Sequence, residues 1–195
     1  MDFLNLPPFL IALLGVAVFF ISLFKTNIAL GILIFSMLLS PEFSAGAITG
    51  RQVILRAEDI FLIVIFLGWM ARMAINKEVG LMKRTALNQP IIIYSAICLV
   101  ATLLGAAQGT CNIKQGVFYL FKYLEYFVIF FMAVNNIEDL KQARVFVVLL
   151  LITCFLVDIY SWTHLGSVER LSAPFEGKGG EPNTLSGYLI LMMAL

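Results

Sequence analysis

The chain has 195 residues, of which 61% are hydrophobic and only 13% are charged. Soluble domains contain about 45–50% apolar and about 25% charged residues, so this composition is that of an integral membrane protein. The formal net charge of +1 supplies no extended basic surface, which argues against nucleic acid as a partner.

Six apolar runs divide the chain into predicted membrane helices, since a helix needs about 20 mainly apolar residues to cross the hydrocarbon core. The runs cover residues 9–24, 27–39, 60–75, 90–106, 117–134 and 145–162. Lys25 and Thr26 separate the first two runs, which form either two short helices or a re-entrant hairpin. Glu58 and Asp59 precede the third run, where acidic side chains suit the positive end of a helix dipole.

A seventh apolar run opens at Asn183 and reaches the last residue, Leu195, after about a dozen residues. At about 1.5 Å per residue, this run is too short to cross about 30 Å of hydrocarbon. We therefore expect an all-α, polytopic transmembrane helix bundle with about six complete helices and a truncated seventh. Residues 1–195 would form a single transmembrane domain that is the N-terminal part of a longer bundle.

The positions of Lys and Arg predict the orientation in the membrane, because cytoplasmic loops carry an excess of both. The loop at 72–84 holds the densest cluster, with Arg72, Lys77, Lys83 and Arg84. We expect this loop to face the cytoplasm, which places the polar loop at 163–184 on the extracytoplasmic side.

The fifth run carries charges where a membrane helix rarely has them. Lys122 and Glu125 are three residues apart, and Gln115, Tyr119 and Tyr126 share the helical face of Lys122. A charge at the bilayer centre costs about 2.5–3.5 kcal/mol on insertion scales, and a spacing of three residues lets two opposite charges pair. This face either lines a substrate cavity or carries a structural ion pair that fixes helix packing.

The loop at 163–184 contains a cation that cannot be neutralised, Arg170, and a second cation, Lys178, among several glycines. Asn183 is placed to cap the seventh helix. A guanidinium beside the start of a helix suits a phosphate or pyrophosphate. The structural alternative is a loop shaped by Gly and Pro in which Arg170 pairs with neighbouring glutamates. No carboxylate cluster indicates a divalent metal, and we predict neither a metal nor a cofactor.

The end of this loop and the seventh run contain a recognisable pattern. An Arg-x-x-x-x-Phe element and a short Gly-containing stretch precede Pro-Asn-x-Leu-x-Gly-Tyr-Leu. The matching residues are Arg170, Phe175, Gly179 or Gly180, Pro182, Asn183, Leu185, Gly187, Tyr188 and Leu189. Together with the aromatic, charge-bearing segment at 119–126, the pattern resembles the bacterial O-antigen ligase/O-antigen polymerase superfamily.

The resemblance implies a GT-C-like glycosyltransferase of the bacterial inner (cytoplasmic) membrane. Such enzymes move a glycan from undecaprenyl pyrophosphate onto an acceptor sugar at the outer face, without a metal. Arg170 would then bind the pyrophosphate, with Lys178, Asn183, Lys122 and Glu125 as further substrate-binding candidates. The resemblance also implies that later helices and a large loop supply catalytic residues, so this part alone would be inactive. It leaves open the glycan, the acceptor and whether the product is a ligated chain or a polymer.

Two other functions stay open at the level of sequence. A polysaccharide or lipid transporter, or a flippase-like protein, would use Lys122, Glu125 and Asp158 to line a pathway. A non-catalytic membrane subunit would have no site of its own.

Overall fold

The computed structural model describes residues 8–40, 42–48, 51–76, 83–166, 171–174 and 182–194. Within these residues the chain forms seven α-helices and one two-stranded sheet. The helices are α1 (Pro8–Phe24), α2 (Thr26–Leu39), α3 (Ala57–Asn76), α4 (Asn88–Ala107), α5 (Ile113–Asn136), α6 (Leu140–Thr163) and α7 (Pro182–Met193). The predicted helical architecture is confirmed, since each of the six apolar runs lies inside one helix and the seventh begins inside α7.

Three of the described helices are long and apolar enough to cross a membrane, namely α4, α5 and α6. Helices α1 and α2 are apolar but shorter, with 17 and 14 residues. Large apolar side chains remain exposed on the long helices, as for Leu103 at 50% and Phe155 at 64%. A surface of this kind suits lipid and not water. The chain therefore has the features of a membrane protein, while the number of six complete spans stays a prediction.

A β-hairpin joins α2 to α3, and the all-α prediction did not contain it. Strand β1 (Glu42–Ile48) pairs antiparallel with β2 (Arg51–Arg56). Glu42 lies opposite Arg56, and the register shifts between Ser44 and Ala47. The second strand contains the β-branched pair Val53 and Ile54, which favours extended backbone.

The main core lies where α1, α2 and α3 pack together with parts of α5 and α6. Its buried members are Val18, Ala29, Leu30, Leu33, Leu62, Ile65, Trp69, Met73, Met132 and Phe146. Small polar residues bring α1 close to α3, because Ser22 Oγ donates a hydrogen bond of 2.7 Å to the Ile65 carbonyl. Thr26 Oγ1 in turn donates to the Ser22 carbonyl at 3.0 Å. Small residues and hydroxyl hydrogen bonds are typical of helix contacts in membranes.

A second, smaller core attaches α7 to the rest of the protein. Leu38 at the end of α2 packs with Val157 of α6, with Leu185 of α7 and with Ala173. The Tyr188 hydroxyl donates a hydrogen bond of 3.0 Å to the Leu150 carbonyl, which holds α7 against α6.

The chain direction defines two ends of the bundle. We call the end with the β-hairpin, where α3, α5 and α7 begin and α2 and α6 end, the hairpin side. The opposite end, where α2 and α6 begin and α3 and α5 end, is the cavity side. Lys83 and Arg84 lie on the cavity side, before the start of α4.

Orientation can be tested by cysteine accessibility. In a chain whose native cysteines, Cys98, Cys111 and Cys154, are replaced, we expect Lys83→Cys to resist a membrane-impermeant thiol reagent in intact cells. Lys114→Cys, exposed on the hairpin side, is the matched control and should be labelled. Labelling of Lys83→Cys but not Lys114→Cys would show that the protein has the reverse orientation.

Candidate functional site

A lysine on α5 bridges two carboxylates on the hairpin side. Lys122 Nζ lies 2.5 Å from Asp59 Oδ1 on α3 and 3.3 Å from Glu125 Oε2 on its own helix. The Lys122 side chain is 29% exposed, and that of Asp59 is 9% exposed. The predicted contact between Lys122 and Glu125 is confirmed, but the shorter contact joins Lys122 to a different helix.

The Asp59 side chain also caps the start of α3. Its Oδ2 accepts a hydrogen bond of 3.0 Å from the backbone N–H of Arg56, the residue just before the helix. An acidic side chain at the third helical position that reaches back to this N–H is half of a capping box. One carboxylate therefore closes the helix terminus and binds the lysine of α5, so the two features fix each other.

Two further charges join this group. Arg56 Nη1 is 3.9 Å from Glu58 Oε1. Glu58 precedes the apolar run of α3, and burial raises the pKa of its carboxyl from 4.5 to about 7, against the opposing effect of Arg56. We call Arg56, Glu58, Asp59, Lys122 and Glu125 the charged cluster. Because the raised pKa leaves the Glu58 carboxyl partly protonated near pH 7, the acidic and basic charges of the cluster roughly balance, and each cation already has a carboxylate partner within it.

The predicted polar face of α5 is divided in the structure. Tyr119 and Tyr126 are 47% and 63% exposed, so both point away from the bundle interior. Lys122 instead turns toward α3. Of the two readings of this face, the geometry favours the structural ion pair over a continuous polar lining.

Asp158, a member of the alternative transport pathway, lies on α6 and is exposed. Its carboxylate accepts a weak hydrogen bond from the Cys154 thiol, one turn earlier on the same helix, at 3.8 Å.

The loop residues that carry the predicted phosphate site, Arg170 and Lys178, lie outside the described residues. Asn183 is described, and the predicted capping role is wrong. The helix begins at Pro182, which places Asn183 second in α7 and not before it. Proline suits the first helical position because its missing N–H has no partner there in any helix. The Asn183 carbonyl accepts a hydrogen bond of 3.0 Å from Ser186 Oγ.

Within the described part of the chain, no group of three or more His, Cys, Asp or Glu side chains is arranged to hold a metal ion. No protein-family model matches the chain, and neither a curated protein nor a solved structure matches it. The functional argument therefore depends on the residues of the chain itself.

Proposed function

We propose that this chain acts in a membrane glycosyltransferase that moves a glycan from undecaprenyl pyrophosphate to an acceptor during assembly of cell-surface polysaccharide. The proposal comes from the resemblance of residues 170–189 to the O-antigen ligase/O-antigen polymerase superfamily. The observation that carries it is the position of α7. This helix begins with the Pro-Asn pair of the pattern and does so on the hairpin side, where the half-buried charged cluster also lies.

The start of α7 offers suitable chemistry for a pyrophosphate. The first backbone N–H groups of a helix have no partner within the helix, and the positive end of the dipole favours an anion. Leu171, which follows Arg170 in sequence, packs against the second core together with Leu185 of α7. In the proposal, Arg170 forms a bidentate contact with the pyrophosphate and Lys178 adds a second positive charge.

For Lys122 and Glu125 the proposal adopts the structural role, one of the two that the sequence left open, in place of the substrate-binding role that the resemblance implies. The Lys122 ammonium is already bound by Asp59 and Glu125, so its charge is compensated. We assign Lys122 to holding α5 against α3 through Asp59, with Glu125 as its second partner on α5, on the side where the donor binds. In the proposed reaction the acceptor hydroxyl oxygen bonds to the anomeric carbon of the donor sugar as the bond from that carbon to the pyrophosphate breaks. Undecaprenyl pyrophosphate leaves, stabilised by the cations, and the hydroxyl proton passes to a base that the resemblance assigns to a later part of the full-length protein.

The test is glycan transfer in cells that lack the native gene and express variants of the full-length protein, because residues 1–195 alone are expected to be inactive. We expect Arg170→Ala to reduce transfer by about 10²–10³-fold, the effect of removing one preorganised donor to a developing charge. Arg170→Lys should not restore transfer, because an ammonium keeps the charge but lacks the planar fork.

Protein abundance in the membrane fraction must match that of the native chain, and Arg84→Ala serves as a control because Arg84 is exposed on the cavity side. Full transfer by Arg170→Ala at normal abundance would contradict the proposed site. In that case Arg170 would only pair with surface glutamates, an interaction of about 0–1 kcal/mol.

A further inference from the structure

A polar cavity of about 350 Å3 opens on the cavity side, at the end of the bundle opposite the charged cluster. The starts of α2 and α6 and the ends of α3 and α5 form its walls. Its lining residues include two cations, Arg72 and Lys83, and one acid, Glu138. The cavity is also lined by amide side chains and, on one wall, by the apolar ring of Trp69; the amides are Asn27, Asn135, Asn136 and Gln142. A cavity of this charge attracts an anion of modest size.

An apolar groove of about 390 Å3 runs beside this cavity, between α2 and α6. Ile28, Phe35, Val145 and Leu149 are among its lining residues. Gly31 also lines the groove, and an added Cβ there would lie 3.2 Å from Leu149 Cδ1, so a larger residue at this position would narrow the groove. An acyl chain fits a groove with this apolar lining better than a polar ligand does.

Two residues line both spaces. Asn27 and Gln142 stand at the junction, where Asn27 Nδ2 donates a hydrogen bond of 3.2 Å to Gln142 Oε1. Asn27 Oδ1 is buried and has no hydrogen-bond partner among the described residues. A buried carbonyl oxygen without a hydrogen bond is costly, so this site favours a ligand with a hydrogen-bond donor that can reach Asn27 Oδ1.

The cations retain donors for such a ligand. A guanidinium has five N–H groups, and the contact of Arg72 Nη1 with Thr26 Oγ1 at 3.3 Å uses one of them. The backbone N–H of Lys83 donates to Asn135 Oδ1 at 3.2 Å, so among the described residues it is the main chain that fixes this lysine at the rim of the cavity.

We propose that the polar cavity and the apolar groove together bind one anionic glycerophospholipid. Arg72 and Lys83 receive the phosphate, a hydroxyl of the head group donates to Asn27 Oδ1, and one acyl chain lies along the groove toward Phe35. The proposal is independent of the glycan-transfer function, because it concerns the other side of the membrane and different residues.

The test uses the fluorescence of Trp69, which is 4% exposed and lines the polar cavity. The chain has two tryptophans, so Trp162→Phe leaves Trp69 as the single reporter in the purified full chain. We expect phosphatidylglycerol with acyl chains brominated near their glycerol end, which would lie where the groove meets the cavity that Trp69 lines, to quench Trp69 at lower lipid content than phosphatidylcholine brominated at the same positions. A buried tryptophan is shielded from bulk lipid, so this preference reports on lipid in the cavity.

Lys83→Gln should weaken the preference about five-fold, which corresponds to the roughly 1 kcal/mol that one basic side chain contributes to binding anionic lipid. Lys141→Gln is the matched control, because Lys141 is exposed on the same side but does not line the cavity. Equal quenching by the two lipids, or the same loss in both variants, would overturn the proposal.

The contribution of the groove can be tested with a variant and a matched control on α6. Val145 and Val148 are 56% and 52% exposed on α6, but only Val145 is among the groove residues. Val145→Phe should reduce quenching by phosphatidylglycerol, whereas Val148→Phe should not. Excess glycerol phosphate should displace little of the bound phosphatidylglycerol, because it lacks the acyl chain that lies in the groove. Full competition by glycerol phosphate would show a site for free phosphate and overturn the assignment to a lipid. Equal effects of Val145→Phe and Val148→Phe on quenching would overturn the placement of the acyl chain in the groove and with it the same assignment.

Discussion

Replacing Lys122 with Met should be among the most destabilising single changes in this chain. Asp59 would lose the ammonium 2.5 Å from its carboxylate, and that carboxylate is only 9% exposed. Breaking a buried ion pair by removing one partner costs about 3–5 kcal/mol, because the other charge is left uncompensated. Since the Lys122 side chain is 29% exposed, we expect the lower end of this range. Thermal unfolding of the purified protein in detergent measures the effect.

The double variant separates the ion pair from a general packing defect. Adding Asp59→Asn to Lys122→Met removes the stranded charge, so the double variant should be more stable than Lys122→Met alone. Glu125→Gln should have a smaller effect, because Glu125 lies 3.3 Å from Lys122 and is 27% exposed. If the effects of Lys122→Met and Asp59→Asn simply add, the two residues do not interact and the charged cluster does not hold α3 against α5.

The helices were predictable from sequence because each membrane helix needs a long apolar run, and the runs are plain. Their starts were less predictable. Helix α5 begins at Ile113, four residues before the predicted run, because Asn112 accepts a hydrogen bond of 3.0 Å from the Lys114 N–H. Helix α6 begins at Leu140, because Asp139 accepts one of 2.7 Å from the Gln142 N–H. Both capping residues can be identified in the sequence, but a prediction from hydropathy alone does not use polar residues and so places the helix starts too late.

The partner of Lys122 could not be predicted in the same way. Helical spacing identifies Glu125 as a neighbour, but Asp59 lies 63 residues away along the chain. No periodicity connects residues at that distance, so the contact follows only from the packing of α3 on α5. The acidic residues at the start of α3 could be identified from the sequence, but the ion pair of Asp59 with Lys122 could not. The phosphate-binding role of Arg170 stays a prediction.

Gly68 provides the second large effect. It lies where α1 and α3 come closest, and a Cβ at this position would be 2.7 Å from the Ser22 Cβ and 2.9 Å from the Phe19 carbonyl oxygen. The carbonyl belongs to the α1 backbone, so no side-chain rotation relieves this contact. We expect Gly68→Ala to destabilise the protein by about 1–3 kcal/mol, as overpacking of a tight core does. Thermal unfolding in detergent is again the measurement.

Gly15→Ala is the matched control, because it adds the same methyl group on α1 where no atom lies within 4 Å. Alanine has a higher helix propensity than glycine by about 1 kcal/mol, so the control should be neutral or stabilising. Separation of α1 from α3 in Gly68→Ala would also lengthen the 2.7 Å hydrogen bond from Ser22 to Ile65, whose donor is fully buried. Equal unfolding temperatures for Gly68→Ala and Gly15→Ala would mean that α1 and α3 are not packed as closely as the structure places them.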